Sequence, residues 1–334
     1  MLRQTLARTA AALVAAAALT ACSGVTDAPR EGTAASAGYP VTVTHRLGTT
    51  VIPAAPTRVV ALGVPDLDVA AALGVVPVAA LASPYTADGV WPWDAGKVDP
   101  ARTTLLTGTP GQLDLEKIAA LRPDLILAHS TAGVDDIYPK LAEIAPTVVD
   151  SRGVLADPWQ DETIAIGTAL GRADQARTLV ADVERRLADT ASAHPGLSGA
   201  GYVIGWAREP GTVTVTGRPD DITAALFGAL GMHLPDSVTA LPRLGGGNSG
   251  AGAAVVPFEQ LSMLDTDLLL VAAGSPELGA QLASNPLFTR LTAVREGRYE
   301  SIDLTTVSAL RVPTAANIPW LLDELGPVLG KVGA

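Results

Sequence analysis

The chain has 334 residues, a formal net charge of −11 at pH 7 and one cysteine, Cys22. Such acidity without a basic patch excludes phosphate-backbone binding, so nucleic acid is not an expected partner. Beyond Cys22 there is no thiol to cross-link the fold, which must rest on core burial, and a chain of this length normally divides into two cores.

Arg3 and Arg8 precede an apolar run from Ala10 to Leu19, and small residues lead directly into Cys22. The run is shorter than the roughly 20 residues a spanning helix needs. Residues 1–21 therefore read as a lipoprotein signal peptide that leaves Cys22 as the acylated N-terminus; an ordinary secretory signal with an incidental cysteine is the alternative. Residues 22–38 are small and polar and read as a flexible tether. Folded chain is expected from Tyr39, as an N-terminal lobe (39–155), a connecting helical region (156–195) and a C-terminal lobe (196–334).

Each half alternates strand and helix, the α/β pattern. In the first, strands are predicted at Arg58–Gly63, Val76–Leu81, Leu125–Ser130 and Thr147–Arg152, with helices at Pro65–Gly74 and Asp135–Ala145. Apolar residues at helical spacing fill Trp159–His194; Gly167 and Gly171 are candidate early breaks, and Ala173–Ala193 is long enough to form one strut between lobes. The second half gives strands at Gly201–Arg208, Thr212–Gly217, Leu268–Gly274 and Arg298–Asp303, and helices at Asp221–Gly231, Pro276–Ser284 and Ala316–Leu329. The segment Leu115–Ala128 recurs in pattern 143 positions later as Phe258–Val271, with Glu116 matched by Glu259 and Asp124 by Asp267. Each copy reads as a short helix feeding a buried parallel strand, so one unit is present in both halves.

Chemistry-bearing motifs are few. Histidines stand alone at positions 45, 129, 194 and 233, with no pair at helical spacing, no zinc motif and no nucleophile elbow; the glycine-rich Gly245–Gly250 stretch lacks the ending of a P-loop and reads as a mobile loop. No catalytic residue, resident metal or cofactor is expected. Aromatic residues are only 4% of the chain, so their placement is informative. Tyr85, Trp91 and Trp93 follow strand Val76–Leu81, and Trp206 with Arg208 ends strand Gly201–Arg208; in open α/β sheets ligands bind beyond such strand ends. Trp91 and Trp93 fit a ligand cleft and an inter-lobe plug equally. His129, ending its strand, is a candidate ligand contact or a hydrogen-bonded structural residue. Arg218 and Arg311, each following a strand, would suit an anionic ligand if they converge on one cleft.

The residues also carry a resemblance. Arg58–Leu62 with Asp66-Leu67-Asp68, Leu115–Ala128, Ile144–Val148, Ala169-Leu170-Gly171 with Ala176, Gly228–Leu234, Asn285-Pro286-Leu287, Gly297–Asp303 and Leu321–Leu325 together resemble the substrate-binding proteins of ABC importers for ferric siderophores and vitamin B12. Trp91-Pro92-Trp93 and the Thr-Ala-Gly after Ser130 look most like the iron-siderophore branch. The resemblance implies an α/β fold of two Rossmann-like lobes joined by one long inter-lobe helix, with a shallow cleft. It implies a monomeric, lipid-anchored extracytoplasmic protein that delivers a ferric siderophore to an ABC permease. It places pocket residues at Tyr85, His129, Trp206 and Arg311, with Arg208 and Arg218 nearby, and makes Glu116 and Glu259 permease-docking residues. Haem or cobalamin would suit the same kind of cleft, with His129 as an axial ligand. A lipid-anchored α/β hydrolase is the alternative from another class, which the missing nucleophile elbow disfavours.

Overall fold

A computed structural model describes residues 38–99, 101–108, 112–244 and 252–333. The signal peptide, Cys22, nearly all of the tether and the Gly245–Gly250 loop lie outside the described residues.

The first lobe opens with a hairpin, β1 (Val41–His45) and β2 (Gly48–Ile52), whose alternating burial seats Val43 and Ile52 in the lobe's core. There follow β3 (Val59–Ala61), α1 (Val64–Ala72), β4 (Ala79–Leu81), β5 (Thr104–Leu106), α2 (Leu115–Ala120), β6 (Leu125–Ala128), α3 (Val134–Ile144) and β7 (Thr147–Val149). These strands make an all-parallel sheet ordered β5-β4-β3-β6-β7. Its central strands are apolar throughout because helices cover both faces. The strand expected from Val76 begins only at Ala79, beyond Pro77, whose nitrogen cannot join a ladder.

Two helices follow, the second being the single strut expected over Ala173–Ala193. α4 (Trp159–Ala169) packs on the first lobe, and α5 (Ala173–Ala193) runs on to the second, about 30 Å at 1.5 Å per residue. Of the two candidate breaks only Gly171 is one, at φ +67°. Gly167 lies inside α4 and lets α5 approach: a Cβ there would meet the Ala176 Cβ at 2.3 Å.

The second lobe contains β8 (Tyr202–Ala207), β9 (Thr212–Thr216), α6 (Ile222–Ala229), α7 (Asp236–Thr239), β10 (Ala253–Pro257), β11 (Leu268–Ala273), α8 (Pro276–Ala283), α9 (Thr292–Arg295), β12 (Tyr299–Ile302), α10 (Leu304–Arg311) and α11 (Asn317–Leu329). Its sheet is ordered β10-β9-β8-β11-β12, with β8, β11 and β12 parallel and β9 and β10 antiparallel. The link from β8 to β9 is too short for a crossover, so the chain must turn back on itself.

The repeat is real in three dimensions. Leu125 of β6 pairs with Val59 of β3, and Leu268 of β11 pairs with Tyr202 of β8, each pair displaced from the other by the same 143 residues. The matching aspartates do the same work: Asp124 accepts from the Arg58 N–H and Asp267 from the Gly201 N–H, both at 2.8 Å, tying the starts of neighbouring strands. The second copy of the helix differs, being 3-10 over Phe258–Leu264 with a kink at Gln260. One continuous core joins the lobes, from Trp91, Trp93 and Trp159 to Phe227, Leu321 and Leu325.

Candidate ligand-binding site

The second lobe supplies one wall of a cavity of about 140 Å³. Along β8, Tyr202, Ile204 and Trp206 face the shared core in alternation, which brings the indole to the strand's carboxyl end. Arg208, two residues on, is exposed and lays its guanidinium over that ring, Cζ 4.5 Å from the centroid. Arg311 lines the same cavity. It was expected after a strand, but an intervening helix, α10, carries it: Asp303 caps the helix by accepting from the Thr306 N–H, and Arg311 is its last residue, where a cation suits the helix dipole. Burial and the like charge of Arg208 push the Arg311 pKa down, while Asp221 and Tyr85 act the other way. Thr214 and Thr216 of β9, Asp221 and Thr223 at the start of α6, and Leu155 of the first lobe also line it.

Tyr85, on the first lobe, is 45% exposed and close enough for its phenol to act on Arg311. Trp91 and Trp93 lie behind it. Each is only 5% exposed; the two rings stack at 5.0 Å, Trp91 lies 6.2 Å from Tyr85, and Trp93 lies 5.2 Å from Trp320 of α11. Of the two readings open for these tryptophans, the structure selects the inter-lobe plug.

His129 is displaced from the cleft as well. It is 1% exposed, its Nδ1 sits 2.7 Å from Asp66 Oδ1, and its backbone N–H donates to Asp66 Oδ2. Burial opposes its charge, yet the Asp66 carboxylate, with Glu162 and Asp150 beyond, holds its pKa above the ordinary histidine range. This is a buried structural pair, and it leaves no open face for a ligand or an axial bond. Arg218 is exposed and pairs with Asp220, Nε to Oδ1 at 2.8 Å, beside Gly252 on the rim. Its charge is balanced locally.

Glu116 and Glu259 are both exposed, each in the first turn of its helix on a separate lobe. Among the described residues, no group of three or more His, Cys, Asp or Glu side chains is placed to hold a metal ion.

Three buried acids escaped the sequence reading. Asp68 of α1 accepts from the Thr314 hydroxyl of the second lobe at 2.5 Å. Burial raises the pKa of Asp68 and of Asp94, and the Asp94 charge raises that of Asp68 further. Glu162 of α4 accepts from the Ser130 hydroxyl at 2.7 Å, and burial lifts its pKa to about 8. Acidic residues on apolar helix faces were the available signal, at Asp66 and Asp68 in α1 and Glu162 in α4.

The sequence model of the periplasmic binding protein family matches residues 59–303. The Fe(3+) dicitrate-binding periplasmic protein FecB of Escherichia coli is 29% identical over 281 residues, covering 83% of this chain and 86% of that one. The Fe(3+)-citrate-binding protein YfmC of Bacillus subtilis is 28% identical over 267 residues, 79% and 78% of the two chains. A periplasmic solute binding protein from Mycobacterium smegmatis superposes with a TM-score of 0.74 at 28% identity, covering 87% of this chain and 98% of that one.

Proposed function

Because the chain belongs to the periplasmic binding protein family, we propose that it captures a ferric siderophore or related ferric complex outside the cytoplasm and delivers it to an ABC permease. The observation that carries this reading is the cavity at the end of β8, lined by Trp206, Arg208 and Arg311. The relatives named for ferric citrate support iron complexes as the ligand class. Iron here is cargo held by its own chelator, so the protein needs no metal ligands. In this reading the ligand contacts are Tyr85, Trp206, Arg208 and Arg311, with Arg218 at the rim.

Glu116 and Glu259 are the docking residues for the permease, one per lobe. Cys22 carries the lipid that holds a monomeric protein at the membrane. Binding and release, not catalysis, is the activity. An axial ligand for haem or cobalamin finds no support at His129, which is only 1% exposed.

Tryptophan fluorescence titration of the chain with ferric siderophores of several classes, haem and cobalamin tests the reading. Saturable quenching by at least one ferric complex, with none by the iron-free chelator at the same concentration, is expected. Saturation by haem or cobalamin alone would overturn it.

A further inference from the structure

We propose that the ligand site continues from the cavity at the end of β8, past Leu155, into the neighbouring groove between α5 and α6, that this groove takes an aliphatic arm of the bound ferric complex, and that Leu155 is the specificity-determining residue at the junction. The inference rests on the ferric-complex reading above and extends that site.

Volume is the first observation. The cavity at β8 encloses about 140 Å³, whereas pockets that enclose small-molecule ligands run from about 300 to 1,000 Å³. A second void of about 310 Å³ adjoins it, and Asp221 and Ile222 line both. The turn from Ser151 to Asp157 divides them: Leu155 lines the smaller void, while Arg152 and Ala156 line the larger. Joined, the two reach the size of a small-molecule site.

The turn itself is the second observation. Leu155 sits at φ +59°, a left-handed conformation rare for a bulky side chain, and such strain persists only where the surroundings impose it. Asp157, 3% exposed, accepts from the Ser151 hydroxyl at 3.0 Å and from the Arg152 N–H at 2.9 Å, and the Ala156 N–H donates to the Gly153 carbonyl at 3.0 Å. These bonds fix an aliphatic side chain where the two voids meet.

The chemistry of the larger void is the third. Its charged groups are engaged within the protein: Arg152 with Asp161 at 2.9 Å, Glu184 with Gln160 at 3.2 Å, Asp220 with Arg218 at 2.8 Å, and Asp221 with the Ala224 N–H at 2.7 Å as the cap of α6. What the groove still offers is aliphatic surface, from Leu187 and Ala188 of α5 and from Ala225 and Ala229 of α6. An alkyl or acyl chain is the group such a surface recognises, at about two- to fourfold in affinity for each methylene removed from water.

The test is titration of the full chain with two matched pairs of ferric complexes: ferrioxamine B acylated at its free amine with an acetyl or an octanoyl group, and ferric complexes of citrate monoamides carrying an ethyl or an octyl chain. In at least one pair the long-chain member should bind at least about tenfold more tightly. Ala225→Trp fills the groove from an exposed position and should bring the long-chain member down to the affinity of its short-chain partner. Leu155→Gly accepts the left-handed backbone without strain and opens the junction, so it should widen the long-chain preference by at least about threefold.

Equal affinities within each pair, a long-chain preference that survives Ala225→Trp, or one that shrinks in Leu155→Gly would overturn the inference and leave the ferric-complex reading standing. No binding of any of the four complexes would overturn the inference, and the ferric-complex reading would fall with it only if no ferric siderophore saturates the chain either.

Discussion

The two lobes put one structural unit to opposite uses. β3 ends at Ala61 and Gly63 lies two residues beyond it; 143 residues later the equivalent position, on β8, is Trp206. In the first lobe the strand end is closed: Gly63 lies so near β6 that a Cβ would fall 1.8 Å from the His129 carbonyl oxygen, and Asp66 bridges the Gly63 and His129 N–H groups while pairing with the imidazole. In the second, the positions matching Asp66 and His129 are Glu209, which is exposed, and Ala272, which has no polar side chain. Among the described residues no acid–imidazole pair closes that end, and it presents Trp206 and Arg208 to the cavity. In the proposed reading, a duplicated fold supplies a closed half and a ligand-facing half by changing what caps the first strand.

Placing a methyl group at the closed end should break the comparison hardest. Gly63→Ala forces backbone movement against His129, and a cost of about 3 kcal/mol, the upper end for overpacking, is expected in urea unfolding. A midpoint within experimental error of the parent would mean that the close approach is not required.

Where the lobes remain alike, at Glu116 and Glu259, the effect should appear in transport alone. Reversing both charges should lower iron uptake in cells about tenfold, or about 1.4 kcal/mol, with the dissociation constant for ferric citrate unchanged. Parent-level uptake, or weakened binding, would remove the docking role.

A smaller effect separates the lobes by pH. Glu162, beneath the closed strand end, titrates near 8 when folded, above an unfolded value near 4.5. The folded state therefore holds the extra proton, and the stability tied to it is present below pH 4.5 and is lost as pH rises through about 8. Glu162→Gln mimics the protonated form and keeps an acceptor for the Ser130 hydroxyl. It should melt a few degrees above the parent at pH 9, a gap of about 1 kcal/mol or more that closes by pH 5. Equal melting temperatures at pH 9 would show that this carboxyl is not held protonated.

Much of this organisation was legible beforehand, because apolar periodicity and the repeated Asp-then-apolar junction report local structure directly. Strands β3, β6, β8 and β11 fell within about two residues at each end, the usual boundary scatter. The β1–β2 hairpin was missed because its two-residue turn, Arg46-Leu47, carries none of the usual turn residues. α10 was missed although Asp303 marks its cap, so Arg311 was given the right neighbourhood for the wrong reason. At the candidate site, proximity to a strand end placed Trp206 and Arg208 beside one cavity, but it could not distinguish a side chain facing the cleft from one turned inward. The readings of His129, Trp91 and Trp93 were therefore left open between cleft and core, and all three are buried. Burial of paired acids such as Asp68 and Asp94 depends on contacts between distant segments, which periodicity does not encode.

The division of labour between the lobes is tested most directly by measuring ferric citrate affinity and melting temperature together for Asp66→Asn and Arg208→Gln. Removing the charge of a buried ion pair costs about 3 kcal/mol or more, so Asp66→Asn should melt several degrees lower yet bind within about twofold of the parent while folded. Arg208→Gln, at an exposed position, should melt with the parent and bind about tenfold more weakly. The reverse pattern, with weakened binding and unchanged melting for Asp66→Asn or parent-level affinity for Arg208→Gln, would contradict the assignment of fold to one strand end and ligand to the other.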